Sequence, residues 1–161
     1  AGEIACFNTH LTWRIEESEI RQKQVNEILA LIDQVAKGKE TLLMGDFNAV
    51  PDSPEIQKLI QEGNFTDTFK AKHPTVDGFT WDNRNPYTAG SHPPMPDRRI
   101  DYMFTRSPGP CLAELSKAEI AFYLPGENNI YASDHFGLLV TFLGQESQKG
   151  DPHAGRSAKR A

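Results

Sequence analysis

The segment GDFN, residues 45–48, places a carboxylate and an amide directly after a short apolar run. Asp46 and Asn48 are two positions apart, and side chains at this spacing project to the same side of an extended chain. The pattern therefore favours a site at which both groups face one ligand. The alternative is an ordinary turn, in which Asp46 and Asn48 form hydrogen bonds with their own backbone.

A second pair, Asp134 and His135, lies directly before the final apolar segment. A carboxylate next to an imidazole can hold it in a defined protonation state, and histidine exchanges protons near neutral pH. The pair therefore predicts acid or base chemistry. The alternative is a loop aspartate beside a histidine that faces solvent, because a match of two residues has low specificity.

Two further polar residues occupy predicted strands. Asp101 lies within RRIDYMF, residues 98–104, and a carboxylate inside a strand needs a partner. It either pairs with a neighbouring arginine or orients a catalytic imidazole. His10 ends the segment EIACFNTH, where the alternative to a reactive role is a hydrogen-bonded core histidine.

These residue types suit the hydrolysis of phosphodiesters. The reaction requires neutralised charge on the phosphate oxygens, an activated water and a stabilised leaving oxygen. A divalent cation with oxygen ligands provides much of this, and Mg²⁺ needs few protein carboxylates because it retains waters. A few carboxylates at strand ends are therefore enough for such a site.

The first half of the chain predicts alternating strands and helices that position these groups. Residues 3–10 indicate a strand buried on both faces, and residues 41–44 indicate a central strand that opens onto the site. Residues 51–63 predict a short helix with Ser53 as its cap. Residues 16–36 predict a longer helix, because apolar residues recur there at helical spacing. Those residues are Ile20, Ile28, Leu31, Ile32 and Val35.

The second half predicts strands and long loops. Residues 65–97 are rich in Pro, Gly, Asn and Asp, which favours a long surface loop. Strands are predicted at residues 98–104, 118–123 and 138–142, with a turn at SPGP and a loop over residues 125–133. The order of elements indicates α/β layers with a largely antiparallel second half.

Composition places the chain in the globular class, since 38% of its 161 residues are hydrophobic and 24% are charged. We expect one domain over residues 1–143, and a disordered tail over residues 144–161, which lack large apolar side chains. The formal net charge of −5 argues against a broad basic surface for duplex nucleic acid. No apolar run approaches the roughly 18 residues that cross a bilayer, so no membrane span is predicted.

The cysteines and the first residues carry little functional information. Cys6 and Cys111 lack the spacing of a metal site, and both are predicted to be ordinary buried thiols. The segment AGEIACFNTHL does not resemble a secretory signal, because it lacks a basic start and an apolar block. The sequence indicates no particular compartment.

Taken in order, NTHL, GDFN with PDSPE, RRIDY and SDHFG resemble the signature segments of the endonuclease/exonuclease/phosphatase superfamily. They extend from residue 8 to residue 137. The resemblance implies the fold of pancreatic deoxyribonuclease, an α/β (α+β) four-layer sandwich with two packed, mainly antiparallel β-sheets and outer helices. It also implies a metal-dependent hydrolase of phosphodiester or, alternatively, phosphomonoester bonds, of a nuclease-like or sphingomyelin phosphodiesterase-like type.

The same resemblance implies roles for residues around the scissile phosphate. Asp46 would act as the general base or orient the attacking water. Asn48 would hold the phosphate, and His135 would bind it and stabilise its charge. His10 would face the phosphate from the other side, as a proton donor or charge stabiliser. Asp101 would orient His135.

The resemblance also implies a metal site and a missing half. Asp134 would be a metal ligand, with Asp46 beside the ion. Domains of this family are longer than the present chain, and their first half carries an Asn and a Glu that is the principal ligand of Mg²⁺. Neither segment is found here, so the resemblance covers the carboxy-terminal half. We therefore expect an amino-terminal fragment of the same domain as a partner.

The segment GFTWDNRNPYTAG is where we expect substrate contacts, because the family varies specificity in loops at the rim of the site. Trp81, Asn83, Arg84 and Tyr87 are predicted to stack on a base or to grip a second phosphate. The alternative is a compact loop packed by its own aromatic residues.

The leading hypothesis is an Mg²⁺-dependent phosphodiesterase that acts on nucleic acid or on a phospholipid headgroup. The alternative is a non-catalytic remnant or split-domain fragment that binds a partner through an exposed sheet.

Overall fold

A computed structural model of the chain describes residues 3–89, 95–106, 112 and 114–143. The predicted SPGP turn, Cys111 and the predicted tail at residues 144–161 lie outside this part of the chain. The strands of the described part form two sheets, one of four strands and one of two.

The four-stranded sheet positions three of the predicted site residues. Its strands are β1 (Ile4–His10), β2 (Glu40–Asp46), β3 (Thr66–Asp67) and β4 (Asp101–Arg106). In space they lie in the order β1-β2-β4-β3. Strands β1 and β2 are parallel, whereas β4 is antiparallel to both β2 and β3. A parallel pair needs a crossover connection, and helix α1 (Ser18–Val35) supplies it.

The two-stranded sheet consists of β5 (Glu114–Ala121) and β6 (Gly137–Leu143), which are antiparallel. Strand β6 contacts β4 of the larger sheet, and a short helix, α3 (Thr68–Lys72), contacts β5. Two packed sheets with helices on the outside confirm the predicted mixed α/β class.

The apolar core lies between helices and one face of the larger sheet. Helix α1 packs against α2 (Pro54–Gln61). These helices contribute Val25, Ile32, Ile56 and Leu59, and the sheet side contributes Leu43, Phe47, Tyr102 and Phe104. Within the described residues, no helix is long and apolar enough to span a membrane.

The buried face of α1 differs from the predicted one. Ile20, Leu31 and Val35 are exposed, so the expectation that they face the core is wrong. Arg21 occupies the core side instead, because its Nε donates to Glu55 Oε1 at 2.5 Å. An ion pair therefore fills a place at which the apolar spacing predicts a hydrocarbon side chain.

The predicted burial of β1 on both faces is also wrong. Ile4, Cys6, Asn8 and His10 alternate along the strand and are all exposed. Strand β1 ends the larger sheet, and the helices cover its other face. Cys6 is accordingly an exposed thiol and not a buried one.

The segment predicted as a surface loop at residues 65–97 is partly internal. It contains β3, α3 and a further short helix, α4 (Pro86–Ala89). Six polar side chains are buried in the described part of this segment, namely Asp67, Thr68, Thr80, Asp82, Asn85 and Thr88. Polar composition indicates a loop, but here the polar groups are buried because they bond to backbone atoms and to one another.

Most predicted element boundaries are close to the observed ones. The predictions at residues 41–44 and 138–142 lie inside β2 and β6, whereas β5 begins before the predicted residue 118. Ser53 occupies the cap position of α2, but its hydroxyl forms no capping hydrogen bond. The predicted loop at residues 125–133 contains a short 3₁₀ helix, Glu127–Asn129.

Replacing Gly45 by alanine is expected to destabilise the protein by about 3 kcal/mol or more. Gly45 has φ +137°, and a Cβ there would lie 1.9 Å from the carbonyl oxygen of Thr9 on β1. The substitution therefore forces β1 and β2 apart. Urea denaturation measures the free energy of unfolding, with Gly38→Ala as the control, since Gly38 has φ +75° but open space around it. Equal losses in the two variants would contradict the steric explanation.

Candidate functional site

Three strands place polar side chains in one row at the same end of the larger sheet. His10 at the end of β1 is paired with Asp46 at the end of β2, and Asp46 is paired with Asp101 at the start of β4. Side chains of directly opposed residues lie on the same face of a sheet. The register therefore brings together three residues that are up to 91 positions apart in the sequence.

His135 joins this row from the connection between β5 and β6. Its Nδ1 lies 2.8 Å from Asp101 Oδ2, and its Nε2 lies 4.0 Å from Asp46 Oδ2. On the other side, His10 Nε2 lies 3.5 Å from the same Asp46 oxygen. The Asp46 carboxylate thus stands between two imidazoles. Asp101 contacts an imidazole and not a neighbouring arginine, because Arg99 is paired with Asp67.

Asn48 belongs to a turn and not to an extended segment. Its φ is 50°, and its backbone N–H donates to Asp46 Oδ1 at 2.8 Å. The expectation of an extended chain is therefore wrong at Asn48, because its backbone is left-handed and its N–H bonds to the Asp46 side chain, as in the predicted alternative of a turn. Asn48 is nearly buried, and its Nδ2 donates to the carbonyl oxygen of Leu11 at 3.0 Å.

The surroundings of Asp46 favour its protonated form. Burial raises the pKa of Asp46 above the ordinary carboxyl value, and the negative charge of Asp101 adds to this effect. The N–H of Asn48 and the two imidazoles oppose the shift without reversing it. A carboxylate with a raised pKa is a stronger proton acceptor once it is ionised.

At His135, the neighbouring carboxylates outweigh the effect of burial. Burial by itself lowers the pKa of His135, but the hydrogen bond and charge of Asp101 outweigh it. Asp46 and Asp134 add further negative charge, so the pKa of His135 is raised above the usual imidazole value. The protonated imidazole therefore persists to higher pH than in a free histidine.

Asp46, Asp101 and His135 each offer a ligand atom, and these atoms lie within 4.8 Å of one another. All three residues are partly accessible to solvent. Two accessible carboxylates suit a Mg²⁺ ion that keeps several waters. Asp134, the predicted metal ligand, does not belong to this group of atoms, and its Oδ1 accepts a hydrogen bond from Ser133 Oγ at 3.1 Å.

Two buried residues that the sequence does not single out hold the site segments in place. Thr80 Oγ1 accepts hydrogen bonds from the N–H groups of Ile100 and Asp101, both at 3.1 Å. Asn85 Nδ2 donates to the carbonyl oxygens of Ser133 at 2.8 Å and Asp134 at 3.2 Å. The segment between Thr80 and Asn85 therefore links the strand that carries Asp101 to the loop that carries His135. A buried amide with several partners has no distinctive sequence pattern, which explains why the motifs do not reveal it.

The predicted substrate contacts occupy different environments. The ring of Trp81 packs edge to face against the ring of His135, with centroids 5.2 Å apart. Asn83 binds Asp97, and Arg84 binds Asp82 through several hydrogen bonds. Tyr87 is 51% exposed. Contacts of these four residues with substrate stay a prediction.

Comparisons with known proteins point to one family. Residues 5–135 match the model of the Endonuclease/Exonuclease/phosphatase family. "Protein angel" of Drosophila melanogaster is 31% identical over 72 residues, which cover 45% of this chain and 20% of that protein.

Solved structures share the fold. D. rerio TDP2, complexed with a single-strand DNA product, aligns with a TM-score of 0.69 and 20% identity over 86% of this chain and 55% of that one. An AP endonuclease from Archaeoglobus fulgidus aligns with a TM-score of 0.64 and 17% identity over 86% of this chain and 61% of that one. The chain therefore spans a little over half the length of these structures. It belongs to the endonuclease/exonuclease/phosphatase family and has the DNase I-like fold.

Proposed function

We propose that this chain carries the reaction centre of a divalent-metal-dependent hydrolase of phosphodiester bonds. The observation that carries the proposal is the position of Asp46, which lies between His10 and His135, while Asp101 bonds to His135. A carboxylate and an imidazole whose pKa values are both raised are suited to act as base and acid at one phosphate.

Asp101 has the geometry of a positioning residue. Its Oδ2 accepts a hydrogen bond from Nδ1 of His135 at 2.8 Å, which leaves Nε2 directed toward the Asp46 side. In the protonated state, Nε2–H of His135 donates to a non-bridging phosphate oxygen and stabilises its negative charge. Asp46, ionised, orients the attacking water and accepts its proton.

His10 and Asn48 complete the proposed phosphate site. The side chain of His10 is 71% exposed and faces Asp46 from the side opposite His135. It stabilises the phosphate or donates a proton to the leaving oxygen. Asn48 uses its Nδ2 to bind Leu11, so its carboxamide is held in a fixed orientation next to Asp46. A fixed amide can position the phosphate without reorganisation during the reaction.

Asp46 and Asp101 would hold Mg²⁺, with Asp134 as a further proposed ligand. Mn²⁺ and Ca²⁺ are alternatives. A bound ion would neutralise phosphate charge and make a water more acidic. The remaining ligands would include oxygen donors outside this group, since Mg²⁺ takes six.

A nucleic-acid substrate is the preferred proposal. The D. rerio TDP2 structure contains a single-strand DNA product, and the A. fulgidus protein is an AP endonuclease. A phospholipid or sphingomyelin headgroup is the alternative substrate.

Removal of divalent ions is expected to abolish hydrolysis of bis-p-nitrophenyl phosphate, and Mg²⁺ is expected to restore it. Without the ion, the negative charge that the phosphate oxygens carry in the transition state is not neutralised. The measurement is nitrophenolate release with Mg²⁺, Mn²⁺ or Ca²⁺ and with chelator, with Asp46→Ala as the inactive reference. A folded protein whose turnover is indifferent to chelator would contradict metal dependence. Absence of turnover under all conditions would favour a non-catalytic chain.

The second candidate function is that of a partner-binding fragment of a split domain. The observation that favours it is the uncovered face of β1, where Ile4 is 41% exposed next to Cys6 and Asn8. Exposed apolar side chains on a sheet face suit an interaction surface. The proposed partner is an amino-terminal fragment of the same domain. Intact mass of the purified sample under denaturing conditions tests this, because a second polypeptide would appear beside the mass of this chain.

A further inference from the structure

Arg98 differs from the other arginines that the structure describes. The others each form an ion pair with a carboxylate, and they are Arg14, Arg21, Arg84, Arg99 and Arg106. The guanidinium of Arg98 has no carboxylate within ion-pair distance among the described residues, and its Nε is buried without a hydrogen-bond partner. A half-buried cation without a counter-ion is costly, so its presence calls for an anionic ligand.

The environment of Arg98 fixes it beside the reaction centre. Its backbone pairs with that of Trp81, with the N–H of Arg98 donating to the carbonyl of Trp81 at 2.9 Å. The guanidinium lies over the Trp81 ring, 5.3 Å from its centroid, and the same ring packs edge to face against His135. Burial lowers the pKa of Arg98, and the negative charge of Asp46 partly offsets this effect.

A cavity of about 370 Å³ is lined by both Arg98 and Asn48, the residue proposed to hold the scissile phosphate. This volume falls within the range of small-molecule pockets, which begins at about 300 Å³. The other charged groups in its wall are already engaged. Arg21 is paired with Glu55, and the exposed Asp97 accepts hydrogen bonds from Asn83. The Ser53 hydroxyl, which also lines the cavity, is buried without a partner.

We propose that Arg98 and this cavity form a subsite for a second phosphate group that flanks the scissile phosphodiester. The inference rests on the proposed hydrolase function and narrows its substrate class. A guanidinium attracts a flanking phosphate and repels a trimethylammonium group, so the subsite favours polyanionic substrates over choline phosphodiesters. The flanking phosphate comes either from the next nucleotide of a strand or from a phosphorylated inositol ring.

The test compares substrates that differ by one phosphate. One pair is the p-nitrophenyl ester of thymidine 5′-phosphate with and without a 3′-phosphate, and the other is the 3′-ester with and without a 5′-phosphate. In the wild-type chain the added phosphate is expected to raise kcat/KM about tenfold or more in one pair. Arg98→Gln is expected to abolish that gain, expressed as the ratio of kcat/KM with and without the added phosphate, whereas Arg98→Lys keeps part of it. Arg106→Gln, at the far end of β4, is the control and keeps the full gain.

A binding measurement separates this inference from the proposed function. Tryptophan fluorescence in chelator follows binding of thymidine 3′,5′-bisphosphate and of inositol 1,4-bisphosphate, and the tighter ligand identifies the source of the phosphate. Two results would overturn the subsite while the hydrolase function stands, provided that bis-p-nitrophenyl phosphate is hydrolysed. In the first, the added phosphate does not raise kcat/KM. In the second, it raises kcat/KM equally in the wild type and in Arg98→Gln. If no ester is hydrolysed, the proposed hydrolase function fails. The fluorescence measurement of bisphosphate binding then tests whether the subsite exists. Loss of bisphosphate binding in Arg98→Gln supports it, and unchanged or absent binding overturns it.

Discussion

Asp46→Asn is expected to reduce kcat for bis-p-nitrophenyl phosphate by about 10²- to 10⁴-fold, the range typical of a lost general base. Asparagine has nearly the same shape and can still accept the N–H of Asn48, which Asp46 Oδ1 accepts at 2.8 Å. The substitution therefore removes the charge and the basicity of the side chain while it keeps the turn. Steady-state kinetics with Mg²⁺ measures the loss, and Asp77→Asn, at an exposed position, is the matched control.

The same substitution is expected to stabilise the metal-free protein at neutral pH. The pKa of Asp46 is raised in the folded state, so ionisation of this group costs folding free energy. That cost is absent at pH values below the ordinary carboxyl pKa of about 4. It is fully present at pH values above the raised pKa that Asp46 has in the folded protein. The gain of Asp46→Asn over the wild type should therefore disappear as the pH falls toward the ordinary value. Thermal unfolding in chelator across this range measures it, and a variant less stable than the wild type at neutral pH would contradict the assigned environment of Asp46.

Asp101→Asn is expected to lower kcat/KM about 10- to 100-fold. This is the usual loss when a residue that orients a functional imidazole, here His135, is removed. Asp101 raises the pKa of His135 through a hydrogen bond and its charge, so its removal lowers that pKa. If reaction requires protonated His135 and ionised Asp46, activity first rises and then falls with increasing pH. The fall occurs as the pH passes the pKa of His135, and in Asp101→Asn it should shift to lower pH.

The readouts for Asp101→Asn are the pH profile of kcat/KM and the titration of His135 followed by NMR. A merely structural role would lower activity at every pH without moving the alkaline limb. An unchanged limb, together with an unchanged His135 titration, would rule out Asp101 as the residue that sets the charge of this imidazole. A flat profile in the wild type would argue against the paired roles of Asp46 and His135.

The elements that carry the site are predictable from the sequence because each combines a strand signal with a polar residue at its end. Apolar runs before Asp46 and after His135 locate β2 and β6, and the family motifs put them in one fold. The sequence also leaves two partners open for Asp101, an arginine or an imidazole. The choice between arginine and imidazole depends on the pairing of β4 with β2 and on the position of the segment before β6, which carries His135. These three segments are distant from one another in the sequence.

Other features depend on tertiary contacts that residue types do not encode. Thr80 and Asn85 occur in a segment whose Pro, Gly and Asn content is typical of a loop, yet both are fully buried. Adjacent Arg98 and Arg99 look equivalent in the sequence, but Arg99 is paired with the buried Asp67, whereas Arg98 lies over Trp81. Only packing distinguishes a structural guanidinium from one that is free to bind a ligand.

The pairing of His10 with Asp46 and of Asp46 with Asp101 makes the proposed catalysis sensitive to strand alignment. Side chains alternate between the faces of a sheet. If β1 slipped by a single residue relative to β2, His10 would therefore move to the helix-covered side, and Thr9 would lie beside Asp46. Such a misaligned molecule would be inactive even if it were compact and rich in strands. Specific activity of a refolded preparation therefore reports the fraction of correctly aligned molecules, which circular dichroism does not distinguish.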